Sequence, residues 1–224
     1  MQDRAKIQLS PIEAGLVTNG ELILTKNNIL QKAEWLLQEL LLLQSTILQA
    51  NRSFLPVAVL LPGPKISKGE NYRGLPYRVL DNPRNFRQEG VFAVRTLFWW
   101  GNFFSITLHL SGIYKKMLQE KIADSYLLLK ENELYCCIHH SEWEHHFESD
   151  NYRMVKGMEK AEFEGHIRDK DFIKLAKKIP LENWAHAPDI LAEYFLEMIT
   201  IAGISSPTGE KALLPGGPIK GFDP

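Results

Sequence analysis

The chain has 224 residues and a mass of 25.7 kDa, with 45% hydrophobic and 24% charged residues and a formal net charge of −1. That mixture excludes disordered, collagen-like and fibrous-repeat architectures and leaves enough apolar sequence for a full core. The near-neutral balance supplies no overall field to gather nucleic acid or an acidic membrane, so only a local patch could do so.

The N-terminal run MQDRAKIQLSPIEAGL lacks the apolar stretch of about 7–15 residues that a secretory signal needs, which predicts a cytoplasmic protein. Thr25 is a suitable N-cap for a long helix over about 26–49, where Leu36, Leu37, Leu40, Leu41, Ile47 and Leu48 keep helical spacing. Four consecutive leucines from Leu40 to Leu43 widen the apolar stripe and predict a place near the centre of the fold. The run LLQELLLL contains Gln38 and Glu39 and falls well short of the roughly 20 residues that span a bilayer, so it reads as a buried helix and not as a membrane anchor.

Residues 50–90 are punctuated by Pro56, Pro62-Gly63-Pro64, Gly69, Gly74-Leu75-Pro76 and Asn82-Pro83, a pattern of short extended pieces joined by turns. From Lys65 to Arg95 there are seven basic and three acidic residues, a local balance of +4, with Tyr72, Tyr77 and Phe86 interleaved. Next, VFAVRTLFWW and FFSITLHLS flank Gly101-Asn102, which predicts a β-hairpin over about 91–111 with a two-residue turn. In that register Trp100 faces Phe103, Phe98 faces Ser105 and Val94 faces His109, while Arg95 faces Leu108. The Arg95 guanidinium should then be mostly buried and held by a carboxylate or by backbone carbonyls.

Beyond the hairpin, Ile113 to Leu129 has helical periodicity. Glu133 to His140 reads as a strand, Trp143 to Glu148 as its return, and Tyr152 to Val155 as a further short strand. Phe172, Ile173, Ala176 and Ile179 fit a helix over 171–179 that Pro180 stops, and a second helix starts at Pro188 and ends near Gly203. Without β-α-β alternation the expected class is α+β: an antiparallel sheet built on the central hairpin, packed by the long N-terminal helix and the C-terminal helices. Residues 1–204 are expected to form one domain and residues 205–224 a Gly- and Pro-rich arm that folding does not require.

The segments ENYRGLPYRVLDNPRNF, VFAVRTLFWWGNFFSITLHLSG and FIKLAKKIPL resemble segments of a group of uncharacterised bacterial proteins, over nearly the whole chain except the tail after Ser205. The resemblance implies a bacterial, cytoplasmic protein and transfers no activity, cofactor or site residue.

Phosphate-loop, dinucleotide-binding, nucleophile-elbow and zinc-protease signatures are all missing, as is a paired C-x-x-C. The two cysteines, Cys136 and Cys137, are adjacent and cannot form an ordinary disulfide with each other. They open the richest chemical cluster, which runs to Glu148 and holds four of the seven histidines. If Ser141 to Glu144 were a reversing loop, Cys137, His139, His146 and Glu148 would share one hairpin face. A thiolate, two imidazoles and a carboxylate suit zinc, and a subset of three would leave a position open for water. A one-residue slip disperses the set, and a polar strand face is the plainer reading.

In the basic region, Arg73, Tyr77, Arg78 and Arg95 are the candidate ligand-binding residues, offering charge and stacking to a phosphate-bearing molecule. The plainer reading pairs these arginines with the acidic stretch from Glu131 to Glu164. Trp99, Trp100, Phe103 and Phe104 are expected to be buried in the chain or in a homodimer, or else to form a partner surface. His109 reads as a hydrogen-bonded strand residue, and His166 and His186 carry no signal.

Two function classes follow. The first is a non-catalytic binding or interaction protein that uses the basic loops and the aromatic hairpin, with no cofactor; nucleic acid is disfavoured as its partner. The second is a zinc-type enzyme, such as a hydrolase, built on residues 136–148. The first needs fewer coincidences of register and is preferred.

Overall fold

The computed structural model describes residues 7–203, so the arm expected over 205–224 lies outside the described residues. Two helices come first, α1 (Pro11–Val17) and α2 (Gly20–Ala50), followed by a single turn, α3 (Val57–Leu60). Four strands follow in succession: β1 (Lys65–Tyr72), β2 (Leu75–Arg87), β3 (Gly90–Trp99) and β4 (Phe103–Ser111). The remaining elements are α4 (Gly112–Asp124), α5 (Tyr126–Glu131), β5 (Tyr135–Cys137), β6 (Tyr152–Met154), α6 (Lys160–Asp169), β7 (Phe172–Pro180) and α7 (Ala187–Ala202).

The strands make one antiparallel sheet in the order β1-β2-β3-β4-β7-β5-β6, with the β3–β4 hairpin in its middle. This is the expected α+β class. Alternation sends Phe92, Val94 and Phe98 of β3, Phe104, Ile106 and Leu108 of β4, and Ile173 and Leu175 of β7 to one face. There they pack with Leu30, Leu37 and Leu40 of α2 and with Leu191, Phe195 and Met198 of α7 in one core. Each fully buried side chain of this size contributes about 1.5–3 kcal/mol relative to an exposed one. A polar bridge fixes how α2 lies on the sheet: buried Gln44 donates to Thr96 Oγ1 at 3.3 Å and accepts from Asn82 Nδ2 at 3.2 Å. No described helix is long and apolar enough to cross a membrane.

The structure corrects five expectations. The long helix starts six residues earlier than expected, at Gly20, because the Asn19 side chain accepts from Leu22 N and caps it. The hairpin register is shifted by one: Trp99 faces Phe103, Phe98 faces Phe104 and Arg95 faces Thr107. A three-residue loop, with Gly101 at φ +70°, replaces the two-residue turn. Residues 172–180 are a strand and not a helix, because slotting between β4 and β5 pairs their backbone on both sides. The apolar spacing there fits both periods, and the available sheet edge decides. Finally, β5 covers only Tyr135–Cys137 and pairs with Tyr152–Met154, so Ser141–Glu144 is not a reversing loop and Trp143 to Glu148 is not a strand.

Two glycines separate conformational cost from steric cost. Gly101 sits at φ +70° in open space, whereas Gly112 starts α4 at φ +56° with its would-be Cβ overlapping the Glu89 carbonyl. Gly101→Ala should therefore cost about 1 kcal/mol, the left-handed penalty alone. Gly112→Ala should cost at least twice that, because the β2–β3 turn must also move, and equilibrium urea unfolding of both variants measures the gap.

Candidate functional site

The sheet's other face carries Asp81 on β2, Arg95 on β3, Thr107 and His109 on β4, Lys174 on β7, Cys137 on β5 and Tyr152 on β6. No described helix covers it. It is closed instead by the segment 138–151, which leaves β5 and returns to β6. Phe147 anchors this strap, stacked on Tyr152 at 4.5 Å and edge-on to Phe103 and Tyr135 at 5.1 and 5.0 Å. Asn151, fully buried, accepts from the Cys137 thiol at 3.4 Å and donates to the His146 carbonyl at 2.5 Å.

Beneath the strap the charged groups and the imidazoles each have a hydrogen-bond partner. Arg95 makes a two-pronged ion pair with buried Asp81 through Nε (2.8 Å) and Nη2 (3.0 Å), which meets the expectation for its guanidinium. Its Nη1 donates to His145 Nε2 at 3.2 Å, so that nitrogen carries no proton and His145 is neutral. Burial acts in the same sense, holding the His145 imidazole well below its ordinary range. His109 donates from Nε2 to Glu142 at 2.7 Å; burial lowers its pKa, while this hydrogen bond lowers that of Glu142. Tyr72 donates to Glu144 at 2.9 Å and accepts from the backbone N–H of His145 at 2.8 Å, tying the strap to β1.

Lys174 is almost fully buried beneath the strap. It is 1% exposed, donates to the Glu144 carbonyl at 2.5 Å and lies 5.4 Å from the centre of the Tyr152 ring. Burial brings its ammonium down to about 8, and burial likewise pushes the Tyr152 hydroxyl and the Cys137 thiol up.

The expected ligand set does not converge. Arg73 sits in the β1–β2 turn and pairs with Glu148 at 2.7 Å, while Tyr77 packs edge-on to Tyr72. Arg78 faces Phe98 across the ladder and thus lies on the helix-covered side, where Nη1 donates to Glu70 and to the Tyr77 carbonyl. Arg95 enters the buried network beneath the strap, and Arg73 touches the strap only at its surface, through Glu148. The expected metal set is only half assembled: His146 and Glu148 meet, and Asp150 joins them. Cys137 is a protonated thiol bonded to Asn151 instead of a thiolate ligand. His139 stacks on His140 at 4.1 Å, and its Nδ1 accepts from Ser141 N at 3.1 Å, 6.4 Å from the His146 ring by centroids.

Sequence reasoning missed Asp81, Glu142, His145 and Lys174. A helix over 171–179 would turn Lys174 outward, whereas strand alternation places it inward beside Thr107 and His109. Comparison with family models, with curated proteins and with solved structures finds no match.

One end of the strap opens onto a cleft of about 1120 Å³ between the β2–β3 turn, the start of α4, residues 140–143 and residues 168–172. Its aromatic wall is Phe86, Trp143 and Phe172, with Trp143 and Phe172 at 5.6 and 6.3 Å from the His109 ring. Arg87, Lys115, Lys116 and Lys170 line it as well. Lys115, itself buried, donates to the Arg168 carbonyl at 2.7 Å, and Lys170 donates to the carbonyls of Ile138 and His139.

The buried charges give the site a pH signature. The unfolded chain holds its lysine protons up to about 10.4, so between about 8 and 10.4 it binds more protons at Lys174 than the folded chain does, and stability contributed here rises with pH. Wild type should therefore gain on the order of 3 kcal/mol relative to Lys174→Met between pH 8 and 10.4 in urea unfolding at each pH. A difference that stays flat would show a hydrated Lys174. His109 and His145 act in the same sense in a lower window: neutral in the fold, they reduce stability as pH falls below 6.5.

Proposed function

We propose that this chain is a non-catalytic binding protein for a small anionic ligand with a planar ring, taken up in the cleft beside Trp143. The observation that carries this reading is the pairing of cations with aromatic rings there: Lys115 and Lys170 spend their hydrogen bonds on backbone carbonyls beside Phe86, Trp143 and Phe172. A carbonyl dipole satisfies an ammonium donor without neutralising its charge, and the five basic residues lining the cleft outnumber its three carboxylates, Glu142, Asp169 and Asp171, so a phosphate or carboxylate would offset the remaining positive charge. Arg87 and Lys116, exposed at the rim, would draw the anion in, and the rings would stack on its planar part. Charge plus stacking is the chemistry expected of the basic region, relocated: Phe86 and Arg87 come from that region, and the other walls come from α4, the strap and the approach to β7. The buried, unbridged thiols of Cys136 and Cys137 suit the reducing cytoplasm as the place where it acts.

Adenosine monophosphate is a suitable probe, because it joins a phosphate to a flat base. It should quench tryptophan fluorescence saturably, and Trp143→Phe should remove most of that change. Arg87→Glu combined with Lys116→Glu, both at exposed positions, should weaken binding at least 10-fold. Absence of a saturable response to adenosine monophosphate and to pyrophosphate at millimolar concentrations would overturn the reading, as would equal affinity in the double variant.

A second reading, a zinc site, is favoured by the surroundings of His146. Its Nδ1 lies 3.6 Å from Glu148 and 3.8 Å from Asp150, and the three ligand atoms are within 4.8 Å of one another. Its Nε2 faces Glu144 at 3.6 Å, the carboxylate-behind-histidine arrangement that orients metal-binding imidazoles. Glu148 gives its other oxygen to Arg73, which keeps Oε2 turned toward His146. Bound zinc would supply a Lewis acid, and His146, Glu148 and Asp150 would hold it. Isothermal titration of untagged protein should show one zinc per chain, lost in Asp150→Asn. Zinc binding that survives both Asp150→Asn and Glu148→Gln, or no binding at all, would remove this site and with it the enzyme reading.

A further inference from the structure

Residues 7–24 present an apolar surface that the described fold leaves uncovered. Ile7, Leu9, Ile12, Leu16, Val17, Leu22, Ile23 and Leu24 are all exposed, Ile12 by 75% and Val17 by 70%. Eight large apolar side chains exposed within residues 7–24 exceed the scatter of single exposed apolar residues that a monomer surface normally shows. The arm is nonetheless well built locally. Ser10 and Glu13 form a reciprocal capping box on α1, Pro11 occupies its first turn, and Asn19 caps α2. Yet α1 has seven residues and buries none of them, and a helix of that length is marginal in water without tertiary support.

The inward stripe of α2 points to the missing support. Leu36 and Leu37 are buried on the core, and one and two heptads upstream the same positions hold Ile29 and Leu30, then Leu22 and Ile23. Burial begins at Leu30, so the stripe continues beyond the sheet. Lys26 pairs with Glu70 of the edge strand β1 at 3.4 Å, which places residues 20–25 past that edge. A core-type stripe thus projects past the described sheet, next to a second apolar helix.

We propose that residues 7–24 are a dimerisation arm, which packs against the same arm of a second copy of this chain across a two-fold axis. Two such arms would cover each other's eight exposed apolar side chains, and the rest of a standard interface of about 800 Å² from each side would come from the polar residues between them. Composition selects a protein partner over an acidic membrane: residues 7–25 contain Glu13 and Glu21 and no lysine or arginine, whereas helices that lie on membranes carry basic residues on their polar face. Pairing through the bare edge of β1 is opposed by Lys65 and Lys68 on that strand, the kind of residue that blocks edge-to-edge addition. The helical arm leaves those lysines in solvent.

Sedimentation equilibrium of the full chain over about 5–200 µM should give twice the 25.7 kDa chain mass at the upper concentrations. The triple variant Ile12→Glu, Leu16→Glu, Ile23→Glu should be monomeric throughout with an unchanged circular dichroism spectrum, because none of the three side chains belongs to the core. A Thr18→Cys variant should cross-link between chains under oxidation, which reports the arm's location without disturbing its apolar face. Three results would each overturn the proposal: a full chain that stays monomeric at 200 µM, a dimer that persists in the triple variant, or a monomeric full chain that dimerises only when residues 205–224 are removed. The last would show that the chain's own C-terminal segment covers the arm.

Discussion

The fold is governed by a demand of the central hairpin, whose strands β3 and β4 are buried on both faces along most of their length. A sheet face left in water forfeits its hydrophobic contribution, so two separate covers are required. Helices α2, α4 and α7 supply the first, and their apolar stripes meet a face of Phe, Val, Ile and Leu. The second face is mixed, and no described helix lies over it. The irregular strap 138–151 meets it with aromatic rings where the sheet is apolar and with hydrogen-bonding groups where the sheet is polar.

This second cover explains why so many ionisable groups are buried together. Asp81, Arg95, His109 and Lys174 project from the strands because alternation puts them there, and each unpaired charge would cost several kcal/mol. The strap brings Glu142 to His109, His145 to Arg95 and a backbone carbonyl to Lys174. The two histidines stay neutral and the remaining charges offset one another, Asp81 against Arg95 and Glu142 beside Lys174. The strap is thus held by polar complementarity as much as by burial, and its two ends differ. At one end His146, Glu148 and Asp150 stand near the surface; at the other Glu142 and Trp143 form part of the cleft wall.

The candidate sites are therefore consequences of how the strap is held. Glu144 illustrates this: it accepts from Tyr72, faces His146 and gives its carbonyl to Lys174, so the imidazole at the metal-type cluster and the lysine under the strap are positioned by one residue. The apolar arm at the N-terminus lies apart from this arrangement, at the other side of the sheet, where β1 leaves an open edge.

The sequence by itself determined the features that depend on neighbours along the chain. Gly101 and Asn102 between two β-prone runs specify the hairpin, repeated leucines at helical spacing specify α2, and a strand-neighbour arginine at position 95 already requires a buried partner. The absence of β-α-β alternation was enough for the antiparallel α+β class. Tertiary structure decided whatever depends on pairing between distant segments. Residues 172–180 fit both a helical and an alternating pattern, and only the vacant edge of β4 makes them a strand and turns Lys174 inward. The partner of β5 turned out to be Tyr152–Met154 and not Trp143 to Glu148, which separated Cys137 and His139 from His146 and brought in Asp150. One residue of register reverses a side chain's face, and local sequence cannot fix that register when its partner lies 15 or more residues away.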